Sequence, residues 1–132
     1  AFSEGLARVR KGFRWSYIDK SGKILFSVGA DTSSNCSEGF VWVKRNGKFG
    51  FIDRTGNFVI EPRFDDAGGF SEGLAVVGVD GKYGYIDTNG RIVIQPQFDL
   101  AWDFHGGNAF VKLNDNYGFV THDGKITMCK TE

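Results

Sequence analysis

Cysteine, proline, methionine and histidine are all scarce: two Cys, two Pro, one Met and two His among 132 residues. The two cysteines, Cys36 and Cys129, are too few to define a disulfide framework. Cys36 stands where the chain elsewhere carries Phe2, Phe70 and Phe104, so it reads as a small apolar filler. A Cys36–Cys129 bridge would require the first and last parts of the chain to meet. His105 and His122 show no metal-ligand spacing to each other or to a cysteine, and no cofactor or metal is expected. Sixteen basic residues balance sixteen acidic ones. Without a field of one sign, nucleic acid is not an expected partner. Membrane insertion is not expected either, because no apolar run approaches the ~18 residues needed to cross a bilayer. No serine sits in a nucleophile-elbow motif, and the chain does not read as an enzyme. The chain starts at Ala1 without a methionine. It reads as a processed mature protein, which would suit the cell envelope or secretion, or as part of something longer.

Glycine and aromatic rings are plentiful instead, and they recur with a fixed period. Tyr17-Ile18-Asp19, Phe51-Ile52-Asp53 and Tyr85-Ile86-Asp87 lie 34 residues apart, followed by the weaker Phe119-Val120-Thr121. Gly22, Gly56, Gly90 and Gly124 keep the same spacing, as do Glu4, Glu38 and Glu72. A fixed period in this range marks a repeat architecture, in which stacked neighbours bury apolar surface that no single unit can bury alone. The units run 2–35, 36–69, 70–103 and 104–132, forming one repeat domain over residues 1–132.

Each unit reads as a three-stranded antiparallel meander plus a connecting loop, so the fold class is all-β with minimal helix. Asn46-Gly47 and Asp80-Gly81 are two-residue hairpin tips, since both residue types tolerate positive φ. Asn114-Asp115-Asn116 is a substituted tip. The Asp19, Asp53 and Asp87 turns read as Asx turns closed by glycine. They lack the residue pattern of a calcium loop. Pro96, unable to donate to a ladder, is expected to end the third strand at Gln95. A tip at Asn46-Gly47 pairs Val41 with Ile52, Trp42 with Phe51, Val43 with Gly50 and Lys44 with Phe49. One face then carries Val41, Val43, Gly50 and Ile52, and the other Phe40, Trp42, Phe49 and Phe51. Both faces are apolar, as a sheet sandwiched between copies of itself requires. Gly50, Gly84 and Gly118 inside the second strand imply a close approach there, for which a ring from the neighbouring unit is the candidate. The expected assembly is an open curved array, with a closed propeller-like ring as the alternative.

The second-strand text, Trp15-Ser16-Tyr-Ile-Asp, Phe49-Gly50-Phe-Ile-Asp, Tyr83-Gly84-Tyr-Ile-Asp and Tyr117-Gly118-Phe-Val, resembles the bacterial WG (KWG) repeat family. Phe70-Ser-Glu-Gly-Leu-Ala-Val before it and Gly90-Arg-Ile-Val-Ile-Gln-Pro-Gln-Phe-Asp after it extend the resemblance over the whole chain. The eponymous tryptophan survives only at Trp15, where Ser16 replaces the glycine. The resemblance implies tandem β modules with no common activity and no catalytic residues to carry over.

Residues that recur serve the scaffold, so specificity belongs where the units differ. Trp42 has Arg8, Val76 and Phe110 at its equivalents, and Trp102 has Ser34 and Gly68. Leu100 to Asn108 is the most individual stretch, and Trp102, Asp103 and His105 combine an aromatic platform with polar groups. Trp42, Trp102, Asp103 and His105 are therefore the candidate partner-binding residues; the plainer reading of Trp102 is cover for the end of the array. The expected function is a non-catalytic scaffold that binds protein or peptide. A glycan-binding module using Trp102, Trp42 or exposed tyrosines as stacking platforms is the alternative. An enzyme's accessory region, with Asp65 and Asp99 brought together, is the lesser one. Glu4, Glu38 and Glu72, with Asp31, Asp65 and Asp99, are expected to accept from backbone N–H groups at turns.

Overall fold

The computed structural model describes residues 2–3, 5–12, 14–30, 32–34 and 37–129. The chain divides into two compact units, Ala1–Phe64 and Asp65–Glu132. Each unit holds two four-stranded antiparallel sheets, and the described residues contain no helix. In the first unit, sheet one is β1 (Phe2–Ser3), β2 (Leu6–Lys11), β3 (Arg14–Ile18) and β4 (Ile24–Gly29). Sheet two is β5 (Thr32–Ser33), β6 (Phe40–Arg45), β7 (Lys48–Asp53) and β8 (Phe58–Phe64). In the second unit, sheet three is β9 (Asp66–Ala67), β10 (Ala75–Val79), β11 (Lys82–Ile86) and β12 (Ile92–Phe98). Sheet four is β13 (Leu100–His105), β14 (Asn108–Leu113), β15 (Asn116–Thr121) and β16 (Ile126–Met128).

The meander expected from sequence is present, with one addition. The connecting segment is not merely a loop. It pairs with the sheet that follows and supplies a fourth strand along its edge. Sheets two, three and four therefore each begin four residues before the boundary set by the sequence repeat, at Thr32, Asp66 and Leu100.

Turn chemistry fixes the register. Asn46 and Gly47 take φ of 53° and 79°, and Asp80 and Gly81 take 51° and 81°, so each pair closes a two-residue loop of positive φ. Val41 then faces Ile52, Val43 faces Gly50 and Lys44 faces Phe49, as the hairpin rule requires. The second turn is an Asx turn in three sheets. Asp53 Oδ1 accepts from the backbone N–H groups of Thr55 (2.9 Å) and Asn57 (3.2 Å). Asp19 does the same for Ser21 and Lys23, and Asp87 for Asn89 and Arg91. Thr121 takes the place of the aspartate in sheet four, accepting from Lys125 N–H through its hydroxyl. With N–H donors aimed at their oxygens, these carboxylates are committed to turn formation.

Two expectations need correction. The third strand does not stop at Pro96: β12 runs through it to Phe98, and β8 runs through Pro62 to Phe64. Both are edge strands, and the proline falls where the ladder is already interrupted. Tyr83 pairs with Phe98 and Tyr85 with Ile94, so the register shifts opposite Gly84. The same shift occurs opposite Gly50. A bulge of this kind spares the missing N–H.

It also explains the glycine. A Cβ at Gly84 would stand 2.4 Å from Ile94 O and 2.6 Å from Pro96 N, and one at Gly50 would stand 2.5 Å from Ile60 O. Gly118 is as crowded, 2.5 Å from Thr127 O, although its pairing with β16 is regular. The close neighbour is thus the adjacent strand's backbone, not a ring from another unit. Sheet one carries Ser16 at this position, and there the pairing with β4 is regular, Ser16 facing Ser27.

Cores form where one sheet's aromatic face meets the next sheet's aliphatic face. In the first unit Leu6, Tyr17, Phe26 and Ala30 of the sheet-one side pack with Val41, Val43 and Ile52 of sheet two. In the second, Leu74, Tyr85, Ile94 and Phe98 pack with Ala109, Val111 and Val120 of sheet four, together with Phe104. Burial of side chains this size contributes about 1.5–3 kcal/mol each. Tyr17 and Tyr85 place a hydroxyl inside these layers, and each donates to the following segment. Tyr85 bonds Trp102 O at 2.6 Å and Tyr17 bonds Ser34 O at 2.5 Å. Trp15 has Arg8 and Arg10 over its ring at 4.8 and 5.6 Å. Its indole N–H has no partner among the described residues, so the ring acts here by stacking.

Cys36, and with it a bridge to Cys129, lies outside the described residues, as do Glu4, Phe13 and Asp31. Cys129 is exposed.

Candidate functional site

The recurring carboxylates serve the repeat itself. Asp65 Oδ2 accepts from the N–H of Asp80 at the β10–β11 tip, and Asp99 Oδ2 from the N–H of Asn114 at the β14–β15 tip. Asp99 also receives Lys82 Nζ at 2.5 Å, and these bonds hold its carboxyl below the usual carboxylate range. Glu72 reaches into the next repeat, accepting from Gly106 N–H at 2.6 Å and Gly107 N–H at 2.9 Å. His122 lies beside it, Nε2 at 3.6 Å from Oε1. Asp65 and Asp99 thus each cap a different hairpin. Among the described residues no group of three metal-ligating side chains comes together.

The departure from the repeat lies at β13. Its counterparts β5 and β9 have two residues each, whereas β13 has six. The register between β13 and β14 breaks between Ala101 and Phe104, so Trp102 and Asp103 occupy an irregularity on an edge strand. Bulges at edges re-aim side chains. Here the result is a groove of about 240 Å³ lined by Asp66, Ala67, Gly68, Val76, Tyr83, Leu100, Ala101 and Trp102. Gly68 forms part of its wall: an added Cβ there would meet Val76 Cγ1 at 2.8 Å and Asp103 Oδ1 at 3.3 Å. On one side the Tyr83 hydroxyl donates to Asp66 Oδ2 at 3.0 Å, and that bond, with burial, pushes the phenol pKa up. Beside Gly68, Asp103 is exposed as a residue, yet neighbouring groups partly screen its carboxyl from water and push it up; among the described residues no cation or hydrogen-bond donor offsets that desolvation. Burial and the nearby Asp103 charge also raise the Tyr85 phenol, which stays protonated as it donates to Trp102 O.

Trp102 continues into an aromatic row. Its ring lies 5.1 Å from Phe110, which stacks on Tyr117 at 5.2 Å and meets Phe119 edge-on at 5.5 Å. All four rings are exposed, Trp102 at 44%.

Of the residues singled out from sequence, Trp102 lines the groove and Asp103 flanks it. His105 lies at the far end of β13, facing Asn108 across the Gly106-Gly107 turn. Trp42 belongs to the first unit, half-buried and edge-on to Phe49 at 5.1 Å. Asp66 and Tyr83 are not among the residues the sequence singles out, since Tyr83 occupies a scaffold position of the repeat; Leu100 opens the individual stretch and lies on β13. One signal was present: the repeat aligns Trp102 with Gly68, so a large ring and an empty position recur one unit apart.

The architecture defines an all-β tandem-repeat protein. The WG containing repeat matches residues 15–49, 49–83 and 83–117, and the chain belongs to that family. No curated protein matches it in sequence. Among solved structures it is similar to KlHsv2 with loop 6CD replaced by a Gly-Ser linker, at 14% identity and a TM-score of 0.62. That match covers 87% of this chain and 45% of the other, so the chain spans less than half of that protein. A Bacteroides caccae protein of unknown function is similar at 16% identity and a TM-score of 0.48, covering 96% of this chain and 58% of that one. At these identities the likeness concerns the fold alone.

Proposed function

We propose that the chain is a non-catalytic β-repeat scaffold that binds an extended peptide segment of a protein partner. The groove beside Trp102 takes a basic side chain flanked by an apolar one. The observation that carries this reading is the Asp103 carboxylate beside the Gly68 wall of the groove, partly desolvated and with no cation on it among the described residues, next to an exposed indole. A lysine or arginine entering there would neutralise the carboxylate and lie against the Trp102 face, a contact of about 0.5–2 kcal/mol. Leu100 and Val76 offer apolar surface to the neighbouring residue. The exposed edge of β13 offers ladder groups to an added strand.

The test is selection of a random peptide library on the intact chain, followed by affinity measurement on synthetic peptides. Enrichment of Lys- or Arg-containing sequences, with at least tenfold weaker binding to Trp102→Ala, is expected. Enrichment indifferent to Trp102→Ala would overturn the site. No peptide enrichment, but glycan-array binding lost in the same variant, would favour the stacking of a sugar on Trp102 instead.

A further inference from the structure

The outer face of sheet four is the one aromatic face, among the described sheets, that stands open. Phe119 occupies the repeat position of Tyr17, Phe51 and Tyr85. Those three are 0–1% exposed, whereas Phe119 is 43% exposed. Phe110 and Tyr117 on the same face are 37% and 40% exposed. The opposite deficit occurs on sheet one. Val9 occupies the position of Val43, Val77 and Val111, each 0% exposed, yet Val9 is 48% exposed. Among the described residues, sheet four thus exposes an aromatic face and sheet one exposes its aliphatic face at Val9, with Ser16 and Ile18 half-buried.

These two faces are the halves of a joint the molecule already makes twice. Within the first unit the Leu6–Tyr17 face receives Val41, Val43 and Ile52. Within the second the Leu74–Tyr85 face receives Ala109, Val111 and Val120. On sheet four Phe110, Tyr117 and Phe119 present the receiving surface; on sheet one the exposed Val9 and the half-buried Ser16 and Ile18 hold the inserting positions, beside Ala7, which is 8% exposed. The polar rim also has a precedent. Arg45 of sheet two donates from Nε to Gly29 O of sheet one at 2.9 Å, and Lys11 stands at Arg45's position in sheet one.

We infer that the aromatic face of sheet four docks the sheet-one aliphatic face of a second copy of this chain, head to tail. The surface adjoins the peptide groove through the Trp102–Phe110 contact, whereas Asp103 is not one of the rings that form it. Its two halves differ, so association either closes into a ring of copies or extends.

The experiment is sedimentation velocity on the intact chain from 5 to 500 µM, about a hundredfold range, with Val9→Glu and Phe119→Glu. The wild type should sediment faster as concentration rises. Each variant alone should remain monomeric at all concentrations, its association weakened at least tenfold. An equimolar mixture should form a one-to-one dimer and nothing larger, because Phe119→Glu keeps its sheet one and Val9→Glu keeps its sheet four. A wild type that stays monomeric throughout, or variants that associate like it, would overturn the inference. If circular dichroism shows that a glutamate variant has lost the fold, Val9→Ser and Phe119→Ser take its place with the same expected outcomes. Asp103→Asn should leave sedimentation unchanged, so failure of this joint and failure of the groove are read separately.

Discussion

Replacing Gly84 by alanine tests the bulge at the centre of the repeat. The added methyl would lie 2.4 Å from Ile94 O, 2.6 Å from Pro96 N and 2.8 Å from Gln95 C. Ordinary contact begins near 3.4 Å, so β12 must retreat by roughly 0.7–1 Å, and the atoms in the way are backbone. Overpacking costs about 2–3 kcal/mol at its upper end, offset by about 0.5–1 kcal/mol from the restricted unfolded chain. A net loss of about 2 kcal/mol follows. For a chain of this length that corresponds to a fall in Tm of about 6–10 °C. Thermal unfolding followed by circular dichroism measures it, with Gly50→Ala expected to behave alike. Ser16→Ala is the control, because sheet one already holds a Cβ at that position in a regular ladder. It removes only the 2.8 Å Ser16–Ser27 hydroxyl contact and should cost under about 1 kcal/mol. A Gly84→Ala protein melting within about 2 °C of wild type would refute the backbone-clash explanation of the repeat glycine.

Three further outcomes are expected. Tyr85→Phe removes the bond to Trp102 O and should cost about 1–2 kcal/mol, with a shift in tryptophan emission as β13 loosens. Asp99→Asn should lower stability at pH 6 more than at pH 3 in urea titrations. The folded state holds that carboxyl below its ordinary pKa, so its contribution is present above about pH 4 and lost as pH falls through the lower folded value. A difference independent of pH would contradict that linkage. Asp103→Asn should do the reverse, raising Tm at pH 7 relative to pH 4 while weakening basic-peptide binding. Its carboxyl is raised by burial, so wild-type stability falls as pH rises through the folded value. A variant that loses stability at pH 7 would show that Asp103 is structurally paired.

Sequence alone determined whatever depends on local chemistry repeated at a fixed period. The Asn46-Gly47 and Asp80-Gly81 tips specify positive φ and so the pairing of every residue in their hairpins. Asp19, Asp53 and Asp87 specify their turns through bonds only two and four residues long. Alternation then assigned Val43 and Phe51 to opposite, equally apolar faces, and both prove fully buried. Tertiary structure decided what depends on neighbours distant in the chain. Glycine at position 84 announced a close approach, but only the path of β12 shows that backbone fills it. Trp102 stood out as unusual, yet its groove needed Gly68, Tyr83 and Asp66, brought beside it by sheet packing. The exposure of Phe119, whose counterparts Phe51 and Tyr85 are sealed, has no local cause at all. It depends on whether another sheet lies against that face, which is a matter of packing and not of the local residues.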